Sequence, residues 1–261
     1  MAKICPLFSG SSGNCTYIEN RDTAILVDAG VSAKKITEAL LSRGLDIEKI
    51  KAVFVTHEHI DHINGIRVFC SKNNIPVYMT KGTYQGMIDG NHSLQKVDVK
   101  ILENDVDMKD FGVKYFHTMH DVNESCGYTF DLGNKKIGVC TDLGIVTDEV
   151  HNSLKGCDTV LLESNHDVKM LQNNALYPFP LKRRIMSENG HLSNNACAEE
   201  VGKLINCGAT RFILAHLSRE NNLPPLARET TKSMLLMNSF KETKDYLLSV
   251  ASPQENDLII L

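Results

Sequence analysis

Residues 56–62 read THEHIDH, and from His57 to His62 five of six successive side chains are ionisable. In a packed interior such a run would desolvate and repel itself at considerable cost. A divalent cation reverses that balance, because imidazole nitrogens and carboxylate oxygens are donors that first-row metals accept. His57 and His59, two positions apart, can point the same way from an extended segment, while Asp61 and His62 continue into the loop toward a second position. The bland alternative is a solvated loop rich in histidine. The density and the choice of ligand types favour the metal.

The elements that position this cluster follow from the flanking pattern. Val53, Phe54 and Val55 form a short β-branched and aromatic run closed by a polar loop, which predicts a buried strand with the cluster at its C-terminal end. Open α/β sheets place ligands at that edge. Other polar residues occupy the same kind of position: Asp28 ends AILVD, His120 follows YFHTM, Asp142 ends IGVCTD and His216 ends FILAH. Residues far apart in sequence can therefore meet at one rim.

KICPLF, CTYIEN and TAILVDAG, separated by SGSSGN and the turn ENRD, predict a meander. A helix follows from Ser32, carrying Ile36, Ala39, Leu40 and Leu41 as its apolar positions and stopping at Gly44. NGIRVFCSKN reads as a helix leading to the strand PVYM. A second meander contains GVKYFHTM and the pair CGYTFDL and KKIGVCTD, joined at a GN turn. The strand DTVLLES, a helix from about Asn194 to Asn206, the strand RFILAH and a helix beginning near Pro224 complete the chain. Two β-rich halves, each finishing in helices, predict an α+β fold of two mixed sheets flanked by helices, an αββα sandwich.

The length of 261 residues fits a single domain over 1–261. A net charge of −4 argues against a protein that coats nucleic acid non-specifically, although it leaves room for a local phosphate site. LKRR at 181–184 is the one compact basic cluster, either a solvated helix face or a substrate contact. Eight cysteines without a CxxC pair read as small buried hydrophobes in a reducing cytoplasm. No leader or membrane-spanning stretch is expected. Oligomeric state is not legible.

THEHIDH matches the HxHxDH signature, and with its companions the chain resembles the metallo-β-lactamase-fold hydrolases over nearly its whole length. Redox members of that family carry glutamate where this sequence has His59. The resemblance implies that His57, His59 and His120 hold one metal, that Asp61, His62 and His216 hold a second, and that Asp142 bridges them. It implies two divalent ions, zinc or manganese with iron as a further candidate. Asp28 would steady the ligand loop from behind. His117 competes with His120 for the third-motif role, but HD followed by a GY strand fits the family pattern better at His120.

ESNHD, GHLSN and HLSRENN narrow the branch to phosphodiesterases similar to ribonuclease Z, and the motif order resembles the YycJ/WalJ group of DNA-exonuclease-like proteins. Asp142 and His216 lie 216 − 142 = 74 positions apart, too few for the large inserted domain of ribonuclease J. By this resemblance His191 serves the leaving oxygen, Glu163 orients His191, and Asp61 helps position a hydroxide shared by the two metals. His191 is otherwise a neighbour of a helix N-cap at Ser193. His166 has no assigned role, and SGSSGN at 9–14 is either a tight turn or a set of amides offered to phosphate. The implied activity is a 5′-to-3′ DNA exonuclease, with DNA favoured over RNA as substrate. The alternative is hydrolysis of a small phosphodiester, thioester or lactone.

Overall fold

The computed structural model describes residues 1–254 and 256–261. Its strands in chain order are β1 (Lys3–Phe8), β2 (Cys15–Asn20), β3 (Thr23–Val27), β4 (Ile50–Phe54), β5 (Val77–Met79), β6 (Val99–Ile101), β7 (Val106–Met108), β8 (Phe111–His117), β9 (Cys126–Asp131), β10 (Lys136–Cys140), β11 (Thr159–Glu163), β12 (Arg211–Ala215), β13 (Leu247–Val250) and β14 (Ile259–Ile260). They form two seven-stranded mixed sheets, ordered β14-β1-β2-β3-β4-β5-β6 and β13-β12-β11-β10-β9-β8-β7. The helices are α1 (Ala33–Ser42), α2 (Ile60–Ile63), α3 (Ile66–Asn73), α4 (Lys81–Asp89), α5 (Asp148–Leu154), α6 (Val168–Asn173), α7 (Phe179–Ile185), α8 (Asn194–Asn206) and α9 (Pro224–Met237).

Two compact units emerge from the contacts. The first comprises Met1–Lys114, Val122–Cys126 and Pro253–Leu261, and the second Tyr115–Asp121 and Gly127–Ser252. In the first, the expected meander is present: β1, β2 and β3 pair antiparallel, and β3 then pairs parallel with β4, Val27 opposite Phe54. Ser32 caps α1 by accepting the Lys35 amide hydrogen, and Gly44 lies at φ 64° just beyond the helix end. Ile36, Ala39 and Leu40 join a core with Leu7, Tyr17 and Val53. Leu41, expected on that buried face, is instead 62% exposed, because it falls one position past the stripe that faces the sheet.

In the second unit β10, β11 and β12 run parallel, with Cys140 opposite Leu162 and Glu163 opposite Ala215. This register sets the C-terminal ends of three strands side by side. Leu162, Leu214, Phe212, Val201 and Leu235 share the unit's core. All eight cysteines are free thiols, seven of them buried, and burial raises the Cys70 and Cys157 thiols to about 12 and about 11. Among the described residues no helix is long and apolar enough to cross a membrane.

Candidate metal centre

In the first unit the chain leaves β4 directly into the histidine motif. His57 and His62 are fully buried, and His59 and Asp61 are partly exposed. Asp28, immediately after β3, organises this loop. Its carboxylate accepts the Thr56 amide hydrogen at 2.8 Å, lies 2.9 Å from the Thr56 hydroxyl, and accepts from His62 Nδ1 at 2.8 Å. Thr56 Oγ1 also lies 3.0 Å from His57 Nδ1. Both imidazoles are thus held through Nδ1, which fixes the ring and leaves Nε2 as the ligand atom, the usual support for a metal-binding histidine.

His57 Nε2 and His59 Nδ1 lie 3.1 Å apart. Two nitrogens bound to one tetrahedral zinc at about 2.0–2.1 Å would be separated by about 3.3 Å, so this donor pair fits a shared cation. His62 Nε2 and Asp61 Oδ2 are 3.6 Å apart. The loop reaches this geometry because Gly30 lets it approach: a Cβ on Gly30 would fall 1.6 Å from the Asp61 carbonyl oxygen. Asn14 closes the arrangement, its amide nitrogen 3.0 Å from His62 Nε2 and its backbone N–H donating to the Asp61 carbonyl at 2.8 Å. Within SGSSGN the Gly13 amide donates to the Gly10 carbonyl and the Gly10 amide to Asn14 Oδ1, so these amides serve the turn.

The second unit supplies its polar groups from separate loops. Asp142, Glu163, His191 and His216 offer ligand atoms that all lie within 4.8 Å of one another. Glu163, wholly buried at the end of β11, is the hub. One oxygen accepts from His216 Nδ1 at 2.7 Å and from His191 Nδ1 at 2.9 Å, while the other accepts the amide hydrogens of Leu143 and Leu192, each at 3.1 Å. Burial would raise the Glu163 carboxyl, but the His191 charge and the hydrogen bonds from His191 and His216 outweigh it and hold the group well below its ordinary value. Burial would likewise lower His191, yet the Glu163 carboxylate keeps its imidazole above the ordinary histidine value. His191 is 24% exposed in its side chain, more open than His216 or Asp142 at 3% each.

His120 Nδ1 donates to the Gly190 carbonyl at 3.0 Å, which turns Nε2 toward Asp142 Oδ1 at 3.8 Å. His117, its competitor, lies half exposed at the end of β8 and binds Glu149 through both its amide and Nδ1. Asp28, Asp142 and His216 each occupy the left-handed backbone region, at φ 62°, 57° and 55°. Each is first or second after its strand, where the chain must turn sharply, and such conformations persist where surrounding bonds over-determine them.

Sequence reasoning missed several residues that position the site. Thr56 stands in plain view as the first residue of the motif, and its hydroxyl links Asp28 to two imidazoles. A buried amide lattice ties together the loops carrying Glu163, His191 and His216. Asn222 donates to the carbonyls of Ser164 and Asn165, Asn165 donates to the His216 carbonyl, and the Ser164 hydroxyl meets Asn194 Oδ1 at 2.7 Å. The signal was an asparagine following each of three site motifs. His166 is 2% exposed, has no hydrogen-bond partner at Nδ1 among the described residues, and is lowered to about 4 by burial.

A sequence model of the metallo-beta-lactamase superfamily matches residues 9–216, and the chain belongs to that superfamily. The fold is therefore the expected α+β sandwich class, and its two mixed seven-stranded sheets with flanking helices agree. Among curated proteins the chain is 38% identical over 240 residues to the exodeoxyribonuclease YycJ of Bacillus anthracis, covering 90% of this chain and 89% of that one. It is 36% identical over 261 residues to the exodeoxyribonuclease WalJ of Streptococcus pneumoniae, covering 96% and 94%. Among solved structures, the metallo-beta-lactamase fold protein YhfI from Bacillus subtilis aligns with a TM-score of 0.73 at 16% identity, over 98% of this chain and 99% of that one.

Proposed function

We propose that this chain is a metal-dependent exodeoxyribonuclease that hydrolyses DNA phosphodiesters from the 5′ end. The observation that carries this reading is 38% identity across 89% of a relative named for that activity, joined to a full set of imidazole and carboxylate donors at the strand ends. His57, His59 and His120 are assigned to one divalent ion, Asp61, His62 and His216 to a second, and Asp142 to both. Zinc or manganese suits this thiolate-free set. When bound, two such ions supply water ionised near neutral pH and charge stabilisation for in-line displacement at phosphorus.

The chain's own residues do the rest. Asp61, with one carboxylate oxygen near His62 Nε2, positions the attacking oxygen. His191, whose imidazole the Glu163 carboxylate holds above the ordinary histidine value against the effect of burial, donates a proton at the leaving oxygen. Glu163 acts through His191 and His216 and is a positioning residue. Asp28 and Thr56 hold the rings of His57 and His62 so that each presents Nε2. We read the chain as one domain, since the superfamily match runs through segments of both units, and as cytoplasmic, consistent with its free thiols.

The test is to incubate manganese- or zinc-reconstituted protein with DNA and RNA, single- and double-stranded and labelled at either end, beside bis-nitrophenyl phosphate. Progressive shortening of DNA from its 5′ end is expected. Cleavage of the generic diester with every nucleic acid left intact would move the function to a small-molecule hydrolase.

A further inference from the structure

We propose that the exposed segment from Leu176 to Met186, which contains α7, grips single-stranded DNA entering the reaction centre; the inference rests on the nuclease reading above. Its sequence, LYPFPLKRRIM, interleaves apolar and basic residues. Leu176 is 81% exposed and Phe179 74%, and α7 buries none of its residues. A seven-residue helix gains little stability by itself and ordinarily depends on an apolar face packed against a core. Here large apolar groups face outward instead, beside three consecutive cations in a chain whose net charge is −4.

The composition matches what unpaired nucleotides require. Aromatic faces stack on bases irrespective of sequence, and cations track the phosphates. In a duplex the base faces are covered by their neighbours, so an outward Phe179 with Tyr177 beside it selects a single strand. Arg184 is committed to Asp121. Lys182 Nζ donates to the Gln172 carbonyl at 2.7 Å and keeps its charge, Arg183 forms no ion pair among the described residues, and Lys169 on α6 is exposed as well. These three cations answer the phosphates.

Placement links the patch to the chemistry. The His191 amide donates to the carbonyl of Ile185, the last residue of α7, at 2.9 Å. His120 donates to the Gly190 carbonyl, and Asp121, the partner of Arg184, is its chain neighbour. A strand lying along α7 therefore arrives beside the loop that presents His191. The basic run noted in the sequence lies on a helix that serves the reaction rather than on an idle solvated face.

The experiment measures the affinity of the full chain for a fluorescein-labelled single-stranded oligodeoxynucleotide by anisotropy, in chelator to prevent cleavage and across a potassium chloride series. Phe179→Ala should weaken binding about ten-fold with little change in salt slope. Arg183→Ala should weaken it and lower the slope by about one. With metal restored, Phe179→Ala should raise KM for DNA rather than lower kcat. Lys34→Ala on α1, an 84% exposed cation, serves as the control, and melting curves verify folding. Wild-type affinity in Phe179→Ala and Arg183→Ala, with wild-type protein binding and degrading DNA, would overturn this inference alone. Failure of wild-type protein both to bind and to degrade any DNA would overturn the nuclease reading with it.

Discussion

The first unit and the second unit build their shares of the proposed ligand set by opposite means. In the first, four donors fall within six residues, and one carboxylate, Asp28, steadies the loop through Thr56 and His62. In the second, the ligands His120, Asp142 and His216 come from three loops spread over 216 − 120 = 96 positions, with Glu163 at the end of β11 and His191 in a further loop set among them. The parallel register of β10, β11 and β12 brings three of them together. Local spacing defines one set and sheet pairing defines the other. The first is consequently supported by a short chain of bonds, whereas the second depends on a buried hub and an amide lattice.

That contrast can be broken first at the ligands. His59→Ala and Asp142→Ala should both reduce hydrolysis to background with loss of bound metal, whichever unit carries the change. His191→Ala should retain metal and lose turnover by about 10²–10⁴-fold, the range of a general acid. Equal metal loss in all three variants, measured by elemental analysis, would erase the distinction between ligand and acid.

The next largest effects separate the supports. Asp28→Asn removes a carboxylate behind one metal-facing imidazole and should lower metal affinity about 10–100-fold. Glu163→Gln acts on two rings at once, so its pH profile should change as well. Glu163 raises His191, and the acidic form therefore persists to higher pH than in a free histidine. In Glu163→Gln the alkaline limb of kcat should move to lower pH, while Asp28→Asn should leave that limb in place. A shared pH profile for the two variants would remove the special status of the hub.

The smallest effect concerns a buried carboxylate outside both sets. Burial alone would raise Glu19, but Lys49, Tyr17 and Lys3 hydrogen-bond it and hold it below its ordinary value of 4.5. A depressed folded value gives stability that is present above the unfolded value and is lost as pH falls through the folded one. Glu19→Gln should lower the melting midpoint by a few degrees at neutral pH, with the difference vanishing in acid and metal content unchanged. A loss of metal would show that its charge reaches the site.

Much of this was legible in the sequence, for identifiable reasons. β3, β4, β10, β11 and β12 are short apolar runs ended by a polar residue, and that punctuation marks both the strand and the candidate ligand. α1 and α8 have a capping serine and an apolar stripe. α6 and α7 went unseen because they are short, and α7 offers no buried face to create a periodicity. The left-handed backbone at Asp28, Asp142 and His216 could not be read from residue type alone: Asp and His are enriched in that region, yet only a few per cent of non-glycine residues adopt it. Glu163 was placed beside His191 by resemblance, but its second bond, to His216, depends on β11 pairing with β12 and has no local signature.

The most direct measurement strips the protein of metal with chelator and titrates Mn²⁺ or Zn²⁺ back while following nucleotide release from end-labelled DNA. The proposed centre predicts no release from the stripped protein and activity that rises to a plateau at about two ions per chain. Shortening of DNA by the stripped protein, or a chain that takes up no divalent ion, would contradict it.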